Sequence, residues 1–347
     1  MRHITIALKS GRVATLLALG LAGLYVATEF GVHPSQQAGA SIPAKEMTAA
    51  IPQASDPRKL ASLNIPRPLV RPDGLPQIEQ PYQIDVVSLT EKWSALSFDI
   101  DQIRSGSEVP RFFVDHIPVD ILDIQQVQTR KKIFLSVALP LILKANEEIT
   151  ARRTRLLKII KNRKPGSILP ADDQNWINQL TELYGAKPND ATDLLARIDV
   201  IPVSLALAQS IEESGWGTSR FAREGNALFG QRAWSPGTGI VPQERDDGKT
   251  YEVRVYDALI QSIKGYVHNL NSHPAYSEFR DQRAKLQQED IPARGYELSR
   301  TLLSYSERGE AYVEALQSLI RVNSLEQFEN ARLIPERVAQ NFTVSNN

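Results

Sequence analysis

A chain of 347 residues with 40 basic and 40 acidic side chains has room for more than one domain but no excess charge with which to hold a nucleic acid. No basic stripe interleaved with aromatics interrupts that balance. Cysteine is absent, which excludes disulfides and thiolate catalysis, and the five histidines form no His-Glu-x-x-His pattern. With no glycine-rich phosphate loop either, the composition implies neither a metal nor a cofactor.

The chain opens with Arg2, Lys9 and Arg12 ahead of an uncharged stretch from Val13 to Thr28. Positive charges before an apolar run keep the start in the cytoplasm and send the rest outward. The small-residue site Ala38-Gly-Ala-Ser41 lies far beyond the run, so residues 1–30 are expected to be an export signal retained as an inner-membrane anchor, facing the periplasm. Prolines then recur among small and polar residues, and 31–82 reads as an extended linker.

Residues 83–168 are expected to form a largely helical accessory region. Ile84 to Phe98 has mixed apolar patterning, and Val109 to Pro118, which begins Val-Pro-Arg-Phe-Phe, reads as loop or edge structure. The segment Ile121 to Lys161 predicts helix, kinked or divided at Pro140. Its core, Ile133 to Leu143, is too short to span a bilayer and needs a protein partner, so the region should pack on the domain that follows. Asn146 to Lys164 reads as its exposed, charged continuation. Arg163-Lys-Pro-Gly166 marks a turn, and two short helices follow over Asp172–Tyr184 and Asp190–Ile198, with Asp190 and Asp193 as caps or surface acids.

From Ile201 to Ile211 nearly every residue is apolar and Pro202 suits a helix start, so this segment predicts a central buried helix. It runs directly into Glu212 and Glu213, which point about 100° apart on a helix, so one of the two faces inward. Gly215 and Gly217 then end the helix around Trp216. A glutamate at such an end is desolvated, its charged form is disfavoured, and it can keep a proton to donate to a glycosidic oxygen. The plainer reading is a solvated Glu-Glu pair beside a packing tryptophan.

Two β-prone runs flank Glu244-Arg-Asp-Asp-Gly-Lys249, where Asp-Gly signals a hairpin turn. Alternation puts Glu252 on one strand face with Arg254, and Glu244 falls at the tip. Glu252, on the ordered strand, is the preferred partner for Glu213 and Glu244 the second option, since glycoside hydrolysis usually needs two carboxylates, about 5 Å apart for a nucleophile and about 6.5–9.5 Å for a base acting on water. Tyr312, in Glu310 to Ile320, has the spacing of a packing residue on a terminal helix. Tyr276, after His273-Pro274, lines the cleft or anchors a loop by its hydroxyl. From Glu329 the sequence turns polar, and 329–347 is expected to be a loose tail.

Taken together, Glu213-Ser-Gly-Trp-Gly217, Ser219-Arg-Phe-Ala222, Asn226-Ala-Leu-Phe-Gly230, Tyr251-Glu-Val-Arg-Val-Tyr-Asp257, Ser262 to Asn271, His273-Pro-Ala-Tyr276 and Tyr305-Ser-Glu-Arg-Gly-Glu-Ala-Tyr312 closely resemble the glucosaminidase family of bacterial cell-wall hydrolases, on its Bax-like branch. The resemblance covers roughly residues 195 to 325. It implies a mainly helical, lysozyme-like catalytic domain over about 169–328 with a small β-hairpin lobe beside a cleft. It also implies endo-β-N-acetylglucosaminidase activity on the β-1,4 glycan strands of peptidoglycan. Under it Glu213 is the general acid, Glu252 or Glu244 the β-lobe carboxylate, and Tyr305 the late cleft tyrosine. Trp216, Asn226, Phe229, Tyr276 and Tyr312 are the candidate substrate contacts, with Asn226 able either to hold its loop or to bond an acetamido group. A lytic transglycosylase of related fold and a non-catalytic glycan-binding adaptor are the alternatives.

Overall fold

Aspartates start the first elements of the computed structural model, which describes residues 84–163, 168–233, 237–242 and 251–336. Asp85 accepts from Ser88 N at 2.7 Å and opens α1 (Val86–Ala95), and Asp99 accepts from Asp101 N at 2.9 Å and opens α2 (Ile100–Arg104). Each side-chain oxygen satisfies an amide that the first turn would otherwise leave unpaired. All described residues fall in one compact unit, Ile51–Asn347. The apolar stretch at 13–28 and the proline-rich 31–82 lie outside them. Among the described residues no helix is long and apolar enough to cross a membrane.

After the loop through Val109 to Pro118, the chain enters α3 (Val127–Asn162), a helix of 36 residues and about 54 Å. It continues undivided through Pro140, so of the kink or division expected there the division does not occur. An interior proline costs about 3 kcal/mol, but every residue from Ile133 to Leu143 is buried, and that packing outweighs one lost amide. Beyond Asn146 the helix is exposed on one side yet still buries Ile149, Leu156 and Ile159.

Two helices expected from sequence follow, α4 (Ala171–Tyr184) and α5 (Ala191–Arg197). Asp190 caps α5 by accepting from Asp193 N, and the Asp193 carboxylate pairs with Arg197 at 3.0 Å. Next comes α6 (Val203–Ser214), in which every residue from Val203 to Ile211 is buried. A helix apolar on all sides has to sit centrally. It packs against α3, and later against α10 (Gly295–Leu298), α11 (Glu310–Val322) and the turn Leu325–Phe328.

The chain continues through α7 (Arg220–Gly225) into a small sheet of β1 (Arg232–Ala233), β2 (Gly239–Ile240) and β3 (Glu252–Arg254). The order is β1-β3-β2, all antiparallel, with Ala233 opposite Glu252 and Ile240 opposite Val253. The β2–β3 pairing is the one read from sequence, whereas β1 is two residues long and left no periodic signal. Then α8 (Leu259–Ser272) packs on α3, and α9 (Ser277–Gln288) follows. One hydrophobic core takes in Leu89, Phe134, Leu139, Leu207, Tyr266 and Leu316, so the accessory helices and the later ones share a single interior.

The tail expected to be loose from Glu329 is tied down as far as Ile334. Val109 N donates to Arg332 O at 2.8 Å and Ile334 N to Val109 O at 2.9 Å. The Glu329 carboxylate accepts from Val203 N at 2.9 Å, from Gly295 N at 3.1 Å and from the Ser204 hydroxyl. Pro202 offers α6 no side-chain cap, so a carboxylate 126 residues away supplies one, at the helix end whose dipole favours negative charge. Replacing this cap, Glu329→Ala, should destabilise the fold by about 1–2 kcal/mol, read as a lower midpoint in urea unfolding; an unchanged midpoint would refute the capping role.

Candidate active site

The turn after α6 is left-handed throughout. Gly215, Trp216 and Gly217 take φ values of 58°, 60° and 76°, three successive left-handed residues of which only the glycines adopt that form freely. Hydrogen bonds hold the turn closed, with Ser219 N donating to Ser214 O at 2.9 Å and Gly217 N to Ser214 Oγ at 3.0 Å. The last turn of α6 is thereby fixed in direction, and its two glutamates part as the helical angle requires. Glu212 points outward and accepts from Arg308 Nη2 at 2.6 Å. Glu213 points inward and accepts from the Tyr312 hydroxyl at 2.8 Å.

Burial pushes the Glu213 carboxyl above the ordinary glutamate value, opposed by the hydrogen bond that Tyr312 donates. The negative charge of Glu212 raises it further, and Arg308 draws it back. The same burial, together with the charge on Glu213, drives the Tyr312 phenol far up, so that it stays a donor. Tyr276 is pushed to about 12, chiefly by burial.

Sequence reading missed the support behind this pair. Gln209, one helical turn before Glu213, donates from Nε2 to Tyr312 Oη at 3.1 Å and accepts at Oε1 from Tyr266 Oη at 2.7 Å. The signal that could have found Gln209 is a lone amide within an otherwise apolar run, since a buried amide must be partnered. Tyr312, whose spacing marked it as a packing residue, is both packed and the direct partner of Glu213. Tyr305, the expected cleft tyrosine, stacks on the Tyr312 ring with centroids 5.4 Å apart and planes 7° apart. Tyr276 lies 5.8 Å beyond Tyr305. The structure thus gathers Glu213, Tyr276, Tyr305 and Tyr312 into one cluster.

Other expected contacts are directed elsewhere. Trp216 meets Phe134 of α3 edge-on at 6.0 Å and lies under the Lys131 ammonium at 4.7 Å, so its ring faces the accessory helix. Asn226 is 5% exposed, donates to Tyr256 O at 2.9 Å and lies 3.0 Å from His116 Nδ1, which makes it the holder of its loop. Phe229 is buried and stacked on Tyr266 at 3.9 Å. Glu252 is 7% exposed and accepts from Gly237 N at 2.9 Å and Gly239 N at 2.8 Å, so both its oxygens hold the strand that precedes the hairpin. Glu244 lies outside the described residues. The backbone at Gly230, with φ 57°, passes beside the acid: a Cβ there would stand 3.5 Å from Glu213 Oε2, in ordinary contact. Among the described residues no group of three or more His, Asp or Glu side chains is placed to hold a metal ion.

Comparison with known proteins bears on this cluster. The glucosaminidase family, described as mannosyl-glycoprotein endo-beta-N-acetylglucosaminidase, matches residues 188–325. Protein bax of Escherichia coli K12 is 34% identical over 200 residues, which cover 56% of this chain and 70% of that protein. The chain belongs to the glucosaminidase family. It is a glycoside hydrolase of the Bax-like branch, and the matched span contains Glu213 and all three clustered tyrosines. Peptidoglycan hydrolase FlgJ of Escherichia coli O157:H7 is 31% identical over 121 residues, 31% of this chain and 36% of its own length. FlgJ of Salmonella typhimurium is 32% identical over 110 residues, 25% of this chain and 35% of its own. The catalytic domain of the autolysin Auto from Listeria monocytogenes covers 47% of this glucosaminidase and 90% of itself at 18% identity, with a TM-score of 0.27, too low to bear on the fold.

The raised Glu213 carboxyl has a consequence for stability. A group whose value is higher in the folded than in the unfolded chain favours folding while it is protonated in both, below about 4.5, and that contribution is lost as pH rises through the folded value. Glu213→Gln removes the desolvated charge without removing volume. Its thermal midpoint is therefore expected to exceed that of the parent protein at pH 8 and to converge on it as the pH falls toward 4.5; a gap independent of pH would contradict the shift.

Proposed function

We propose that this glucosaminidase is a peptidoglycan hydrolase that cleaves β-1,4 glycan strands on the N-acetylglucosaminyl side, with Glu213 as general acid. The observation that carries this reading is the placement of Glu213: half-buried at the end of α6, with Oε1 accepting from Tyr312 and Oε2 on the side of Gly230. Desolvation keeps a proton on the carboxyl at a pH where an exposed glutamate has lost it. As the glycosidic bond lengthens, the proton passes to the leaving oxygen, and water takes the sugar carbon. The Tyr312 hydroxyl then steadies the carboxylate left behind.

Of the two β-lobe carboxylates, Glu252 has its oxygens engaged by the backbone of Gly237 and Gly239. The role of activating water accordingly falls to Glu244 in this reading, with Glu252 keeping the lobe in shape. Tyr305 is the proposed sugar contact, as the partly exposed member of the tyrosine cluster. The relatives named as peptidoglycan hydrolases support an extracytoplasmic role. Residues 1–30 are proposed to tether the enzyme to the inner membrane, facing the periplasm; recovery of the protein in the soluble periplasmic fraction, starting near Ser41, would contradict the tether.

Digestion of purified cell wall, followed by mass spectrometry, tests the chemistry. Products should carry reducing N-acetylglucosamine ends, whereas anhydro-muramic ends would replace hydrolysis with lytic transglycosylation. Glu213→Gln should lower the rate by about 10²–10⁴-fold, the contribution of a positioned general acid, while binding to the wall persists. Glu244→Gln should cut the rate comparably and Glu252→Gln should lower the thermal midpoint instead; the reverse pattern would return the second carboxylate to Glu252.

A further inference from the structure

Gln209 is fully buried on α6, among Leu205, Ala206 and Ala208 on its own helix. A primary amide in such surroundings costs several kcal/mol unless both ends are partnered, and its ends are not equivalent, since the carbonyl only accepts and the NH₂ only donates. Tyr266 engages one end of the amide. Its ring is buried and stacked on Phe229, and its hydroxyl donates to Gln209 Oε1. That turns Nε2 toward Tyr312, whose oxygen accepts. A phenol has one hydrogen, and that of Tyr312 is left to point at Oε1 of Glu213.

We propose that Gln209 and Tyr266 are positioning residues that fix the direction of hydrogen bonding at the acid, keeping Oε1 of Glu213 an acceptor and assigning the transferable proton to Oε2. This rests on the reading of Glu213 as general acid and adds the question of which oxygen donates. An oxygen already receiving the Tyr312 hydrogen cannot also hold a proton along that line, so the acid's hydrogen belongs on the oxygen facing Gly230. With the amide reversed, Tyr312 would donate to Gln209 and accept from Glu213, and the acid's proton would be tied up inside the protein. Neither Gln209 nor Tyr266 meets a substrate in this arrangement. They act through Tyr312.

The groups that face Glu213 are Glu212 on its own helix, Arg308, Tyr312 on α11, Tyr266 on α8, and Tyr276 and Tyr305. The tyrosines are all driven upward by burial and remain protonated, so their hydroxyls serve as fixed dipoles. The test measures kcat and KM across pH on soluble glycan strands with the full chain. Gln209→Met keeps the length of the side chain but frees Tyr312 to accept from Glu213. It should lower kcat about tenfold, leave KM within about twofold and move the basic limb of the profile up by about one pH unit, because a bond to the charged form has been weakened. Tyr266→Phe, which keeps the ring stack, should shift the limb in the same direction by less. In a Tyr312→Phe background Gln209→Met should add nothing.

An unmoved basic limb in both single variants, an effect on KM alone, or additivity with Tyr312→Phe would overturn the proposal. Should Gln209→Met fail to fold, Tyr266→Phe alone decides by the same limb. Full activity of Glu213→Gln would instead overturn the acid assignment beneath it, an outcome distinct from any behaviour of the Gln209 variants.

Discussion

A carboxyl group brought to the end of a buried helix must give up its charge or find a donor, and in this protein Glu213 is held between the two. Desolvation raises its affinity for the proton, as does the negative end of the helix dipole within whose last turn it lies. The single hydrogen bond from Tyr312 opposes both. Remove the burial and Glu213 becomes an ordinary surface glutamate; remove the tyrosine and only the charge of Arg308 is left to draw the proton off. The rest of the fold is arranged to keep that contest local. At the far end of α6 the Glu329 carboxylate accepts from the Val203 amide, and burial raises it too, so the helix has a desolvated carboxyl at each end, each held by hydrogen bonds that favour its charged form.

The residues that fix this geometry extend beyond the span matching the family. Phe134 and Ile117 lie against Gly217 so closely that a Cβ there would stand 2.9 Å and 3.1 Å from them. Lys131 covers Trp216, and His116 meets Asn226 on the way to the β-lobe. Each of these four belongs to the segment between α2 and the middle of α3, and each touches a loop that leaves the Glu213 helix or leads to the sheet. The accessory helices are therefore part of the frame of the site. Trp216 illustrates the trade: a ring that sequence offered to sugar is used to fasten the turn to α3.

Legibility followed the range of the interactions. The buried helix, its end at Gly215 and the inward face of Glu213 could be read because apolar spacing, glycine and the helical angle are local. Spacing gave the face of Tyr312 but not the destination of its hydroxyl, which depends on α11 crossing α6. The motif marks Tyr305 and Tyr312 as positions and not as contacts. Gln209 and Tyr266 are 57 residues apart, and nothing in either segment announces the other. The strand carrying Glu252 was placed correctly, yet which backbone amides would claim its oxygens depended on the pairing with β2. Glu329 was read as tail for the same reason: its partners are the first residues of a helix 126 positions earlier.

The tyrosine cluster narrows how sugar could be met. Tyr312 is 1% exposed and Tyr276 is 7% exposed, so neither has a ring face to present, and the Tyr312 hydroxyl already serves Gln209 and Glu213. Tyr305 stacks one face on Tyr312 and remains only partly buried. An aromatic already held rigidly, here between Tyr312 and Tyr276, costs little further entropy when its exposed part takes up a ligand. In the proposed reading the inner tyrosine acts on the proton and Tyr305 meets the sugar, so a change at Tyr305 should be felt in binding while a change at Tyr312 should be felt in the pH dependence of turnover.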